Sequence, residues 1–457
     1  MFPTLKHGEP RDGVANGRHH PWGAASGILA AALLAYVWRI QDLFPIVDHL
    51  KPVTLVTGLF FLILFLDTRL QADILDVARR PPGIFAVTVL ILASVGIPTS
   101  LWAGMSFDIV TKVLLPSVVV ALGIGAAVRR TVDAYRFSTV HVIGALIFSL
   151  VVLTRFNVGP DGRLGDLIYY DANGLGLIIV CALPLAEWCA SHGERLGVRI
   201  LALAALPVFL ITIVKTGSRG AFLGLVAVLT YSIFANRSAP VRRRLGLGLF
   251  AGILLLVFAG GTYWTMMNTI LHPTQDYNWV GKSEGGRMDV WKRGIGYMLQ
   301  HPITGVGAGA FPVAEGTISA LAGQQQYGIG LKWSAAHSSF VQVGAELGFP
   351  GIIAYLAFLF VGFRRARRIV VLGLAASDLR TAAMGDALAA SLLGYMVSGF
   401  FLSEGYSALP YSVIGIAIGL HTVLRRQVPV EAREEMTRKV RRGHGAAVRA
   451  AAWNPDV

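Results

Sequence analysis

"LALAALPVFLITIVKTGSRGAFLGLVAVLTYSIF", residues 201–234, is a pair of apolar runs joined at Lys215, Thr216, Gly217, Ser218 and Arg219. Apolar runs of this kind predict a membrane hairpin, and its short connection has too few residues for an ordinary surface loop. The rest of the chain has the same character. Of its 457 residues 54% are apolar and only 14% charged, and the mean hydropathy is +0.60, far from the range of a soluble globular domain. The fold class expected is an all-α polytopic membrane protein.

Apolar stretches long enough for a bilayer of about 30 Å are centred near Ala30, Phe60, Val89, Val118, Ile147, Val180, Ala205, Val226, Leu254, Ala354, Leu392 and Gly415, which predicts about twelve transmembrane helices. The first follows a basic leader, but Tyr36, Val37 and Trp38 at its end make a poor cleavage site, so it reads as a retained span. The formal charge of +14 could indicate nucleic-acid binding. However, the clusters "ARR", "VRR", "VRRRL" and "FRRARR" flank apolar runs, as membrane topology requires. Nucleic acid is therefore not an expected partner, and most of the cations fall on one side if both termini are cytoplasmic. The expected division is a leader at 1–21, a membrane domain at 22–424 and a basic tail at 425–457 that lies near anionic lipid. Cys181 and Cys189, eight residues apart in one run, would sit about 12 Å apart on a helix and cannot pair.

One connection on the outer side, residues 267–336, is too long for a structureless loop. Within it "EGGRMDVWKRGIGYMLQHP" predicts an amphipathic helix with Arg287, Trp291 and Gly294 on one stripe, stopping at His301 and Pro302. Lys292 and Arg293 point elsewhere on the wheel and are expected to be solvated. The glycines of "ITGVGAGAF" predict tight turns.

On this topology the opening hairpin turns at the outer face. Lys215 is a snorkelling interfacial cation, whereas Arg219, among small neighbours that let a ligand approach, is a functional candidate. Arg287 on a buried face needs an anionic partner. His337, at the head of the tenth span, faces the same compartment. Glu346, about half a turn round that helix, is expected to make a buried polar contact near "GFPG" rather than to pair with it. The loop "TRFNVGPDGRLGDLIYYDANGLG" adds Arg163, Asp171 and Asn173, the last two also suited to capping the sixth span. Arg163, Asp171, Asn173, Lys215 and Trp291 are the expected substrate-binding set, around Arg219, Arg287 and His337 as the catalytic one.

The sequence has no Asp-x-Asp pair, P-loop, Gly-x-Ser-x-Gly elbow or His/Cys cluster at metal spacing. No metal and no cofactor are expected. Arginines grip diphosphate oxygens bidentately, and a neutral histidine accepts a proton from a hydroxyl. The set fits attack by a sugar hydroxyl on a carbon bearing a lipid diphosphate.

"TGSRGAFLGL", "GRMDVWKRGIGYMLQHPITGVGAGAF" and "AHSSFVQVGAELGFPGIIAYL", in this order, resemble the bacterial O-antigen ligase and O-antigen polymerase superfamily. The resemblance is good from about Tyr169 to Leu356. It implies a GT-C-like membrane glycosyltransferase of the bacterial inner membrane, with its large loop and active site at the periplasmic face. It also implies a glycan donor carried on undecaprenyl diphosphate and an acceptor that is lipid A core or a growing glycan, with the chain in contact with membrane lipids. Residue by residue it puts the diphosphate on Arg219 and Arg287 and the acceptor hydroxyl on His337 as general base, with metal-independent, inverting transfer. Where many members have Asn after the histidine, this chain has Ser338. Ligase is the expected activity. Polymerase of an O-antigen or exopolysaccharide and protein O-oligosaccharyltransferase are the alternatives within the class. A lipid-linked glycan flippase, a reading of another class, would spread its cations along an internal path with broken helices near the midplane.

Overall fold

A computed structural model of the chain describes residues 23–157, 159, 163–164, 171–236, 238–272, 286–324 and 334–441, without the side chains of Pro45, Thr437, Lys439, Val440 and Arg441. Among them the regular structure is helical, with no strand. In chain order the helices are α1 (Ala24–Val37), α2 (Pro52–Leu66), α3 (Thr68–Arg79), α4 (Gly83–Val95), α5 (Ala103–Ala127), α6 (Thr131–Arg155), α7 (Ala172–His192), α8 (Leu196–Thr216) and α9 (Arg219–Ala235). They continue as α10 (Val241–Phe258), α11 (Gly261–Asn268), α12 (Arg287–Gln300), α13 (Phe311–Thr317), α14 (Ser339–Ala375), α15 (Leu379–Gly399), α16 (Ala408–Gln427) and α17 (Val430–Arg441).

Each of the twelve expected centres falls inside one of these helices. Among the described residues seven helical stretches are long and apolar enough to cross a membrane, or eight if α10 and α11, bent by 114°, count as one span. The chain is thus a polytopic membrane protein. Helices α1, α4 and α9 are shorter than the roughly 20 residues a perpendicular crossing takes, and α15 carries the buried Asp386 among small residues. Lipid-facing surface is evident on α2 and α10, where Phe65 is 79% and Leu256 72% exposed. Apolar side chains spread over that much exposed surface need a non-aqueous neighbour. Helices α7, α15 and α16 are instead buried on nearly all sides and form the centre of the bundle. Cys181 and Cys189 are buried free thiols on α7.

The glycine run after α12 is the joint between the bundle and the segment that the sequence reading expects on the outer side, the outer segment for short. Gly305, Gly307 and Gly309 all have left-handed φ, and a Cβ on Gly305 would lie 2.2 Å from the backbone carbon of Glu346. The approach lets Val306 N–H donate to Ala345 O and Gly307 N–H to Glu346 O. The Glu346 carboxylate, 1% exposed, accepts from Gly309 N–H at 2.8 Å and Phe311 N–H at 3.3 Å. These four bonds anchor the outer segment to the first turns of α14, so Glu346 makes the buried polar contact expected of it. One reading changes. Arg293 is not solvated: its guanidinium, 14% exposed, forms a fork with Glu315, 4% exposed. Helix α16 runs to Gln427 before α17 begins.

Candidate functional site

The turn between α8 and α9 is built from its own sequence. Gly217 ends α8 at φ +56°, a conformation that a side chain resists. Ser218 then caps α9, its Oγ accepting from Ala221 N–H at 3.2 Å. Arg219 is therefore the first residue of α9, where free N–H groups add to its positive charge. Its Nη1 donates to Thr269 Oγ1 at 2.8 Å, just past α11. Lys215, half-buried one turn earlier, contributes its carbonyl, which accepts from Leu164 N–H at 3.0 Å.

Arg163 lies over this turn. A Cβ on Gly217 would meet its Cγ at 2.8 Å, so the glycine provides the space for it. The Arg163 guanidinium donates to Thr216 O at 3.3 Å and to Asn173 Oδ1 at 2.9 Å. Asn173 Nδ2 in turn donates to Asp171 Oδ2 at 3.0 Å, and the other oxygen of Asp171 accepts from Gly174 N–H at 2.7 Å, capping α7. The capping role expected of Asn173 falls to Asp171 instead: Asn173 is already inside α7, and its side chain links Arg163 to Asp171.

His337 stands just before α14 with φ +49°, uncommon for a residue with a side chain. Its N–H donates to Ser403 Oγ at 2.8 Å, and buried Ser338 caps α14 by accepting from Val341 N–H at 3.4 Å. Ser338 thus has a capping role of its own. Burial holds the imidazole below its ordinary pKa, the Arg287 charge lowers it further, and the Asp171 charge opposes both. The charges of Arg287 and Asp171, from two other chain segments, thus both act on the His337 ring. Arg287 is half-buried and opens α12.

Trp291, one turn along α12, holds the groups in register. Its Nε1 donates to Ala336 O at 3.0 Å, next to His337, and its ring packs edge-on against Phe400 at 5.1 Å and lies 6.4 Å from Phe401. Phe401 also abuts Gly220, where a Cβ would lie 3.2 Å from its own. Gly220, Phe401, Trp291 and Ala336 therefore form a packed chain from Arg219's neighbour to His337's. Beside it an apolar groove of about 450 Å³ runs between α12 and α14, lined by Gly294, Met298, Phe340, Val341, Phe349 and Phe400 among others.

The connection 400–407 escaped the sequence reading. It supplies Phe400, Phe401 and Ser403, and Glu404, whose N–H donates to Ser339 Oγ at 3.0 Å. Burial and the nearby Asp171 carboxylate push the Glu404 carboxyl up to about 7, against Ser407 and Arg39. A Ser-Glu pair between two apolar runs was the available signal, but nothing in its spacing points to α14. Among the described residues no three His, Cys, Asp or Glu side chains gather as a metal site would require.

No curated protein matches the chain. Residues 203–356 match the family model described as O-antigen ligase, a stretch from α8 into α14 that contains Arg219, Arg287, Trp291 and His337. It excludes Arg163, Asp171 and Asn173. Over that stretch, about a third of the chain, the protein is similar to the O-antigen ligase family.

Proposed function

We propose that the chain transfers a glycan from undecaprenyl diphosphate to an acceptor hydroxyl, with the core sugar of lipid A as acceptor, at the outer face of a bilayer crossed twelve times. The observation that supports this reading is the packed link from Ala336, beside His337, through Trp291 of α12 and Phe401 to the start of α9, with the charges of Arg287 and Asp171 acting on the His337 ring. His337 takes the proton of the acceptor hydroxyl as its oxygen bonds to the anomeric carbon. The bond from that carbon to the diphosphate breaks, and its electron pair leaves with undecaprenyl diphosphate. Arg219 and Arg287 bind the diphosphate oxygens and offset the charge that grows there. Attack from the face opposite the leaving group inverts the anomeric centre. Asp171 and Asn173 orient the sugar, and Arg163 fixes both. The groove beside Phe400 offers apolar surface to the polyprenyl chain.

The test is incubation of the purified protein with an undecaprenyl-diphosphate glycan and, separately, lipid A core, a second lipid-linked glycan and a peptide. A new glycosidic bond on lipid A core supports the ligase reading, and one on the second glycan alone moves the activity to polymerisation. Movement of the donor across a vesicle membrane with no new bond would replace transfer by transport.

A further inference from the structure

Arg365 lies 28 residues beyond His337 and past the break at Gly348 inside α14, beside His421 near the end of α16 that is remote from the 400–407 connection. It is half-buried, and two of its three nitrogens are fixed. Its Nη2 donates to Pro81 O at 2.7 Å, and its Nη1 approaches His421 Nδ1 at 2.7 Å. A guanidinium has no acceptor, so the His421 ring must accept. The third nitrogen, Nε, is buried without a hydrogen-bond partner.

The charges that bear on Arg365 are Arg368, Arg425 and Arg80, all of one sign. Arg80 is partly neutralised by Asp76 at 2.7 Å. Arg368 and Arg425 are exposed, and among the described residues neither they nor Arg365 has a carboxylate within salt-bridge distance. Arg367, between them in sequence, is satisfied by Asp386 at 2.7 Å, so the bundle pairs its arginines where it has acids to do so. Three uncompensated guanidiniums from α14 and α16, one with a buried unmet N–H, repel each other unless an anion sits among them. The location favours a phosphate: basic pockets between spans, at the level where helices leave the membrane, bind lipid headgroups.

We infer that Arg365, Arg368 and Arg425 form an anion site for a phosphate group, separate from the glycan site and independent of the function proposed above. The phosphate belongs either to an anionic phospholipid or to free phosphate, and the two sources are separable. The full chain is placed in nanodiscs of phosphatidylcholine alone or with one fifth phosphatidylglycerol, and retained phospholipid is counted by native mass spectrometry. Inorganic phosphate is titrated into the first kind of disc and bound phosphate measured. Removing two charges, Arg368→Gln with Arg425→Gln, should weaken whichever species binds about thirtyfold. The control pair, Arg364→Gln with Arg426→Gln, takes two exposed arginines from the same helices but outside the cluster and should change it less than about threefold. Retained phosphatidylglycerol names the lipid as source, and phosphate binding in phosphatidylcholine discs names the free ion. Equal loss in both pairs would show diffuse attraction to a basic surface and overturn the site. Binding of neither species to the wild-type chain would also overturn it.

Discussion

His337 combines two features that packing alone does not require: a left-handed backbone and a ring whose pKa is lowered by burial and by the Arg287 charge. Residues held in sparse backbone regions collect at functional sites, where the surrounding structure over-determines them. Its replacement by alanine should reduce glycan transfer at least a hundredfold, with the folded protein's thermal melting little changed. The pH profile is a finer test. A general base works when neutral, so activity should fall as pH drops through the His337 pKa. Arg287→Gln removes a charge that lowers that pKa, so the acid limb of the residual activity should move to higher pH. Asp171→Asn removes a charge that raises it, and the limb should move lower. Shifts in the same direction for both variants would dissociate the limb from His337. His337, Arg287 and Arg219 stand out in the sequence because each lies at or beside a helix start that the apolar pattern marks. Glu404 was not legible in that way, since only the fold brings the 400–407 connection against α14 and within range of Asp171.

At the level of elements, the α8–α9 turn and the outer segment are the two structures on which the site rests. Gly217→Ala puts a side chain at φ +56° and a Cβ 2.8 Å from Arg163 Cγ. The strain costs about 1–2 kcal/mol, and the displaced Arg163 should weaken donor binding through Asn173 and Asp171. A melting curve together with the KM for donor would show both effects, and an unchanged KM would remove Arg163 from the site. The outer segment depends on the buried Arg293–Glu315 pair, whose carboxylate also accepts from the Tyr297 hydroxyl at 2.6 Å. Glu315→Leu leaves the guanidinium uncompensated and should destabilise the protein by about 3–5 kcal/mol, and adding Arg293→Met should recover most of that loss. The sequence marked α12 through its 3.6-residue apolar stripe and its stop at His301. It could not mark Arg293, which sits off that stripe and is buried only because α13 folds back with Glu315.

For the molecule as a whole, helix positions followed from apolar runs because a bilayer demands them, whereas the number of crossings did not. Short α1, α4 and α9 and the bent pair α10 and α11 can each cross or stop, depending on neighbours that hydropathy does not record. If both ends and the outer segment lie on opposite sides, chemistry on single cysteines shows it. In a Cys181→Ala, Cys189→Ala background, His272→Cys should react with an impermeant maleimide in intact cells, and Arg426→Cys only after permeabilisation. Labelling of both in intact cells would contradict that arrangement. The central claim, that residues from α9, α12 and the head of α14 make one transfer site, is tested most directly by a single-turnover assay. Purified wild type and the Arg219→Ala, Arg287→Ala and His337→Ala variants are each given undecaprenyl-diphosphate glycan and lipid A core, with chelator present. We predict rapid transfer by wild type and a rate at least a hundredfold lower in each variant; transfer at the wild-type rate by all three would contradict the account.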